Sequence, residues 1–191
     1  MTAETRGGAG PAVASAAAAG ALLLVLYLAT LAPAVTFWDA GELASAAATL
    51  GIPHPPGTPL YVAAAHLWAR AMGAPALASW AVGAAVFSAA CTAGAGALLA
   101  ALVARWTRSA AAGVAATLAA GTAYSVWANA TETEVYAASL LLAATMLWCG
   151  DRRARYADDG GDAGARWALV LAYLLALTPA LHLSALVAAP A

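Results

Sequence analysis

The chain has 191 residues, of which 64% are hydrophobic and 9% are charged, and its formal net charge is −1. A soluble globular domain carries about 25% charged residues, so the composition excludes an ordinary water-soluble protein of this length. The sequence contains no lysine and its net charge is close to zero, which gives no reason to expect a nucleic acid partner. Cys91 and Cys149 fall inside apolar runs and are predicted to be inert core thiols.

Five apolar segments follow one another along the chain. A membrane helix needs about 20 apolar residues, and the segments cover about residues 11–35, 76–104, 110–128, 133–150 and 167–190. We therefore predict an all-α, multi-pass transmembrane protein with about five spans. We expect residues 1–191 to form a single membrane-embedded domain, the N-terminal portion of a longer architecture.

The first apolar segment has two interpretations. LAPA at 31–34 resembles a cleavage site, so residues 1–34 could form a signal peptide. The apolar run from Ala12 to Ala32 is longer than the roughly 7–15 residues usual in a signal peptide. Its length therefore favours a retained first span.

Arginine positions predict the orientation, because cytoplasmic loops carry an excess of Lys and Arg. With a cytoplasmic N-terminus, seven of the eight arginines lie inside and only Arg70 lies outside. Residues 36–75 then form an external loop, and a second external loop lies near residues 129–134. This orientation brings most potentially reactive side chains to the external face: Asp39, Glu42, His54, His66, Glu132 and Glu134.

The external loop begins with two carboxylates. Asp39 followed by Glu42 has the spacing of a capping box, which predicts a short helix over residues 40–50. The two carboxylates could serve only this helix start. Alternatively, an ionised Asp39 beside the membrane could act as a general base.

A second short helix is predicted after the sequence PHPPG, whose prolines exclude a helix. Thr58 is the expected cap, and a proline at the first helical position favours a helix over residues 59–72. This helix is too short to span a bilayer. We expect it to lie along the interface, with Tyr61 and Trp68 at headgroup level.

Four further ionisable side chains have both a structural and a functional interpretation. His54 either faces water from a rigid turn or is held in place for a site. Glu132 and Glu134 either are interfacial charges at a helix start or contact a substrate. His182, about 15 residues into the predicted fifth span, is either a neutral, carbonyl-bonded histidine or a functional group. No zinc-type spacing occurs in the sequence, so we predict no metal site, and a divalent metal is not required.

Three motifs resemble a known family. WDAGELASAAATLGIPHPPGTPLY resembles the signature of the protein O-mannosyltransferase-like membrane family, and TETEVY and LTPALHLSAL resemble two later segments of it. That family is similar to GT-C-fold glycosyltransferases. The resemblance implies a GT-C-like fold with two juxtamembrane helices in the first external loop, and it identifies Asp39 as the catalytic acidic residue, paired with Glu42.

The resemblance also implies a reaction. Such enzymes take a sugar, here expected to be mannose, from a polyprenyl-phosphate donor. They transfer it to an acceptor hydroxyl, expected to be Ser or Thr of a protein, at the external face of a bacterial plasma membrane. A multi-pass transporter or a structural membrane protein remains the alternative, because an ionisable His182 near Pro179 would also suit a carrier.

The chain departs from the family pattern at one position. Classical members carry a lysine soon after the HPP motif, whereas this chain has Thr58 and Pro59 there. The nearest substitutes for phosphate binding are His54, His66 and Arg70. Donor or substrate binding is therefore predicted for a set of six side chains: His54, His66, Arg70, Glu132, Glu134 and His182.

Overall fold

The computed structural model describes residues 9–73, 79–157 and 162–190. Within these ranges every regular element is helical, which confirms the all-α prediction. The elements are α1 (Ala9–Ala29), α2 (Ala40–Thr49), α3 (Pro59–Ala71), α4 (Trp80–Thr107), α5 (Ala110–Gly121), α6 (Tyr124–Thr131), α7 (Val135–Tyr156), α8 (Ala163–Leu181) and a 3₁₀ helix (Leu183–Ala188). Arg6 and residues 76–78, which enter the predicted orientation and the predicted second span, lie outside the described residues.

Three of the described helices are long and apolar enough to cross a membrane, namely α1 over Ala12–Ala29, α4 and α8. Helices α6 and α7 pass the same test only as a pair, and their axes bend by 113° at the break between them. The described chain is thus an all-helical membrane protein with three spans, or four if the bent pair counts as one. The predicted number of five is not confirmed.

The predicted third span, residues 110–128, is divided into two helices. α5 ends at Gly121, Thr122 forms its C-cap, and the extended backbone of Ala123 precedes α6. Glycine and threonine are weak helix formers. The Thr122 hydroxyl also donates a hydrogen bond to the Leu118 carbonyl at 2.8 Å, which satisfies an acceptor of the last turn.

The predicted fifth span also ends earlier than expected. α8 stops at Leu181, and His182 adopts extended backbone with a φ of −172° before the 3₁₀ helix begins. Pro179 lies in the last turn of α8. Because a proline has no N–H to donate, it weakens the helix around it. His182 therefore lies just beyond α8 and not within a continuous span.

The two predicted juxtamembrane helices are present as α2 and α3. Leu43 of α2 and Tyr61 of α3 belong to one buried cluster with Met146 of α7, so both short helices are anchored on the bundle. The rings of Tyr61 and Trp68 each lie 6.0 Å from the ring of Phe87 on α4. Tyr61 is completely buried within the protein, so its phenol does not contact lipid headgroups, and the depth of α3 stays a prediction.

Small residues let α1, α4 and α5 approach closely. A side chain at Gly20 of α1 would place its Cβ 3.0 Å from the Cβ of Ala97 on α4. Gly113 of α5 faces the carbonyl of Ala100 so closely that a Cβ there would collide with it. Close backbone contact of this kind supplies the van der Waals packing that holds membrane helices together.

Helices α4 and α7 define two ends of the bundle. At one end, Ser88 of α4 bonds to the backbone of Glu134, just before α7. At the other end, Arg105 of α4 pairs with Asp151 of α7. At 1.5 Å per residue, Ser88 and Arg105 are separated by about 26 Å along α4, which is close to the roughly 30 Å of a bilayer hydrocarbon core.

Candidate active site

Asp39 stands at the start of α2, but its carboxylate does not cap this helix. Its backbone is in the right-handed helical region and its side chain makes no capping hydrogen bond, because a capping residue normally needs extended backbone. The predicted capping box is therefore not formed. Trp38 directly precedes Asp39, with a φ of 64° and a side chain that is 94% exposed. Positive φ at a bulky residue is rare, and such strain gathers at functional sites.

Glu42 holds the HPPG turn instead of capping its own helix. One carboxylate oxygen accepts a hydrogen bond from the backbone N–H of His54 at 2.6 Å. The other oxygen lies 2.8 Å from Nδ1 of the same residue. Because one carboxylate binds both the backbone and the ring, the imidazole has a fixed direction.

The fixed imidazole points its second nitrogen at the other carboxylate. Nε2 of His54 lies 3.9 Å from Oδ2 of Asp39. The hydrogen bond to Glu42 raises the pKa of His54, and the charge of Asp39 adds to this effect. The same hydrogen bond lowers the pKa of Glu42. The arrangement therefore favours an imidazolium between two carboxylates.

The three side chains also have the spacing of a cation site. Asp39, Glu42 and His54 each place one ligand atom within 4.8 Å of the others, and all three are exposed. Carboxylate oxygens and an imidazole suit a divalent ion. One imidazole nitrogen is already bonded to Glu42, which leaves the Nε2 side open. That the protein requires no metal stays a prediction.

The break between α6 and α7 lies beside this cluster and is tied to its surroundings. The hydroxyl of Thr36 donates to the Glu132 carboxylate at 2.9 Å. The buried hydroxyl of Thr133 donates to the carbonyl of Ala81 at 3.1 Å. The N–H of Glu134 donates to Ser88 Oγ at 3.1 Å. These hydrogen bonds join the break to α4 and to the loop before α2.

Glu134 shares the electrostatic environment of Asp39 and His54. Burial together with the charges of Asp39 and Glu132 raises the pKa of Glu134 to about 7, and the backbone hydrogen bond from Val135 and the charge of His54 oppose this rise. The Glu134 side chain is half-buried, whereas Asp39 is exposed. The structure brings together Asp39, Glu42 and His54, and the role of Glu134 in the site stays a prediction.

His182 approaches the same region from the end of α8. Its Nδ1 accepts a hydrogen bond from the Ser184 N–H at 3.2 Å and lies 2.8 Å from the Ser184 hydroxyl. Its ring packs edge-on against the ring of Tyr136, and the two ring centres are 4.9 Å apart. Burial lowers the pKa of His182, and the charge of His54 adds to the decrease. These effects favour the neutral form of His182, which contacts Tyr136 in the first turn of α7.

Among the described residues, no contact connects His66 or Arg70 to the cluster of Asp39, Glu42 and His54. Nδ1 of His66 lies 2.7 Å from the Ala47 carbonyl, and its ring stacks on Trp80 at 5.2 Å. These contacts join α3 to α2 and α4. Arg70 is exposed and lies about 17 Å along α3 from Pro59, at 1.5 Å per residue. Their roles in donor binding stay predictions.

Two hydroxyl groups at the start of α3 are buried. Neither the Tyr61 nor the Thr58 side-chain oxygen has a hydrogen-bond partner among the described residues. Burial raises the pKa of Tyr61, and the charge of Glu134 adds to this effect. Thr58 has a φ of 35° and makes no side-chain capping bond, so its predicted role as the cap is wrong. No local sequence signal predicts the burial of these two hydroxyls.

Several helices are long and apolar enough to cross a bilayer, and carboxylates and an imidazole lie together at one end of the bundle. These features define a membrane protein whose reactive groups lie near the interface. A family model described as "Protein O-mannosyl-transferase TMEM260 N-terminal domain" matches residues 39–191. The chain belongs to this protein O-mannosyl-transferase family, which confirms the resemblance found in its motifs. Comparisons with curated proteins and with solved structures give no match.

Proposed function

We propose that the protein is an inverting, GT-C-type glycosyltransferase that moves mannose from a polyprenyl-phosphate donor to a Ser or Thr hydroxyl of a protein acceptor. The reaction would take place at the external face of a bacterial plasma membrane. Membership of a protein O-mannosyl-transferase family supports the reaction class, and it favours transfer over the transporter and structural alternatives. The observation that carries the proposal is the cluster of Asp39, Glu42 and His54.

Asp39 is the proposed general base. Both oxygens of Glu42 are engaged by His54, whereas the Asp39 side chain makes no capping bond and is about half exposed. Asp39 can therefore accept the proton of an acceptor hydroxyl. The oxygen then attacks C1 of the sugar on the side opposite the phosphate, so the configuration at C1 inverts. Glu42 is assigned a positioning role through His54.

His54 is proposed to face the phosphate of the donor. The two carboxylates favour its imidazolium form, which supplies a positive charge where the family lysine is missing. Charge placed in advance where negative charge develops is a large contributor to catalysis. The position at the end of the apolar bundle also fits the donor, whose lipid chain stays in the bilayer while its sugar phosphate reaches the interface.

The test is transfer from radiolabelled polyprenyl-phosphate mannose in membranes that contain the protein. Asp39→Asn is expected to reduce transfer by roughly 10²–10⁴-fold, the usual contribution of a general base. Asparagine has nearly the same shape as aspartate, and the Asp39 side chain makes no capping bond, so expression should not change. Glu42→Gln is the matched control, with a smaller expected loss. Wild-type turnover by Asp39→Asn would show that Asp39 is not the base.

A further inference from the structure

A cavity of about 240 Å³ lies in the helical bundle, and none of its described lining residues belongs to the candidate site. Its walls come from α1, α4, α5, α6 and α7. The lining is mostly apolar, with hydroxyl groups only from Tyr27, Thr92 and Thr117 among the described residues. Along α4 the wall runs from Thr92 to Val103, which is about 16 Å at 1.5 Å per residue. The cavity is therefore long, narrow and mainly apolar.

The cavity reaches the outer surface of the bundle. Ala116 and Ala120 of α5 line it and are exposed, and Leu140 of α7 is half-buried. Helices α1 and α4, which supply much of the wall, are long and apolar enough to cross a membrane. In a bilayer this surface faces lipid, so a lipid chain can enter the cavity from the side without crossing water.

One hydroxyl in the wall of the cavity lacks a partner. Thr92 is 2% exposed, and its Oγ1 has no hydrogen-bond partner among the described residues. Threonine hydroxyls in helices can donate to a carbonyl three or four residues earlier. Such bonds, each of 2.7 Å, are made by Thr107, Thr145 and Thr178. A buried polar group without a partner costs free energy, so Thr92 indicates a ligand that brings an acceptor into the cavity.

Thr92 lies toward the end of the bundle that carries the candidate site. It follows Ser88 by four residues, which is about 6 Å along α4. Ser88 accepts a hydrogen bond from the backbone N–H of Glu134 at that end. The Thr92 hydroxyl is therefore closer to this end of α4 than to the end at which Arg105 pairs with Asp151.

The break between α5 and α6 indicates where the bilayer boundary lies on this side. Tyr27 donates to the carbonyl of Gly121, the last residue of α5, at 2.8 Å. Tyr27 also shares a buried cluster with Ala93, the neighbour of Thr92, so the end of α5 and Thr92 are at a similar depth. The backbone of residues 122–123 leaves the helix and is exposed. Such backbone does not lie among lipid chains, so Thr92 is near the boundary between headgroups and chains.

We propose that the cavity binds one acyl chain of a glycerophospholipid and that Thr92 donates a hydrogen bond to the ester carbonyl of this chain. The apolar wall covers the chain, and the carbonyl supplies the missing acceptor. The ester group stands at the top of an acyl chain, which is the depth at which Thr92 lies. An isoprenoid chain has no oxygen along its length and would leave Thr92 without a partner. This inference is independent of the proposed function.

Two synthetic lipids test the inference. Phosphatidylglycerol with ester-linked chains and phosphatidylglycerol with ether-linked chains differ only in the carbonyl groups. The full chain is purified in detergent, and native mass spectrometry over a range of lipid concentrations measures its affinity for each lipid. The ester-linked lipid should bind about 2- to 12-fold more tightly, which is the value of one neutral hydrogen bond.

A pair of threonine variants locates this preference. Thr92→Val keeps the shape of the side chain and removes the hydroxyl, so it should bind the ester-linked and ether-linked lipids equally. Thr145→Val is the matched control, because the Thr145 hydroxyl already donates to the Leu141 carbonyl within α7. It should keep the wild-type preference for the ester.

Each contrary result has a definite meaning. Equal affinity of the wild-type protein for the two lipids would overturn the inference, even if no Thr92 variant folds. A preference that persists in Thr92→Val would also overturn it, since the carbonyl would then be bound elsewhere. If polyprenyl phosphate displaced the ester-linked lipid more effectively than phosphatidylglycerol itself, the cavity would belong to an isoprenoid chain and the inference would be wrong. Absence of sugar transfer with an intact ester preference would overturn the proposed function alone.

Discussion

The carboxylates at the two ends of the bundle have opposite environments. At the end away from the site, Asp151 receives hydrogen bonds from Arg105 and from the Trp106 indole and pairs with Arg155. Arg152 lies over the ring of Trp148, 4.8 Å from its centre. At the site end, Asp39 makes no capping bond and Glu134 makes no ion pair among the described residues. The carboxylate of Asp151 is saturated with hydrogen bonds, whereas Asp39, among the described residues, has only the ion pair with His54 at 3.9 Å.

This difference separates a structural role from a reactive one. A carboxylate surrounded by guanidinium groups has no lone pair left for chemistry, and its loss leaves buried charges without a partner. An exposed carboxylate with one loose ion pair contributes little to stability but stays open to a substrate hydroxyl. We infer that Asp151 holds α4 and α7 together, whereas Asp39 is the carboxylate that serves the proposed reaction. Three experiments challenge this contrast, beginning with the largest expected effect.

The first prediction is that an impermeant reagent outside the cell reaches one end of the bundle and not the other. In a protein without Cys91 and Cys149, Ile52→Cys should react with an impermeant maleimide in intact cells, because Ile52 is 91% exposed beside the site. Thr107→Cys, exposed at the arginine end, should not react. Labelling of Thr107→Cys alone would reverse the orientation and remove the site from the external face.

The second prediction concerns stability. Asp151→Asn should lower the free energy of unfolding by up to about 3–5 kcal/mol, the cost of removing one partner of a buried ion pair, since the Asp151 side chain is only 9% exposed. Thermal unfolding in detergent measures the loss. Asp39→Asn is the comparison, with no expected change. Equal destabilisation by both variants would end the distinction between the two ends.

The third prediction concerns donor affinity and has the smallest expected effect. His54→Gln removes the imidazolium and should weaken donor binding by about 1.5–3 kcal/mol, on the order of 10- to 150-fold. Arg70→Gln should weaken it less, because Arg70 lies near the far end of α3. Direct titration with the polyprenyl-phosphate donor measures both. Equal weakening would support the role that the sequence predicts for Arg70.

Much of the fold follows from local sequence signals. Apolar length predicts membrane helices, and the HPPG turn with its following proline predicts where α3 begins. The division of the third segment was missed, because Thr122 and Ala123 interrupt an otherwise apolar run and hydropathy does not register a two-residue change of backbone. The early end of α8 at Leu181 was missed although Pro179 was visible, since a proline in a membrane helix often only kinks it.

The sequence predicts which residues belong to the site, but it does not predict which of their atoms are in contact. The orientation rule predicts one face for Asp39, Glu42, His54 and Glu134, and the structure brings the first three together. The spacing of Asp39 and Glu42 suggested a capping box, yet Glu42 binds His54, twelve residues away. Local spacing cannot reveal such a competing partner. The burial of Tyr61 likewise depends on helices that are distant in sequence, so it needed the structure.

The shortness of α5 has a consequence for the surrounding lipid. Twelve residues rise about 18 Å, whereas a bilayer core is roughly 30 Å thick. Tyr124, 88% exposed, begins the next helix, and tyrosines favour the headgroup region. A bilayer meets a short apolar surface by thinning locally. A bilayer that α5 alone had to cross would therefore be drawn inward, and bilayer thickness would become a variable to which this side of the protein responds.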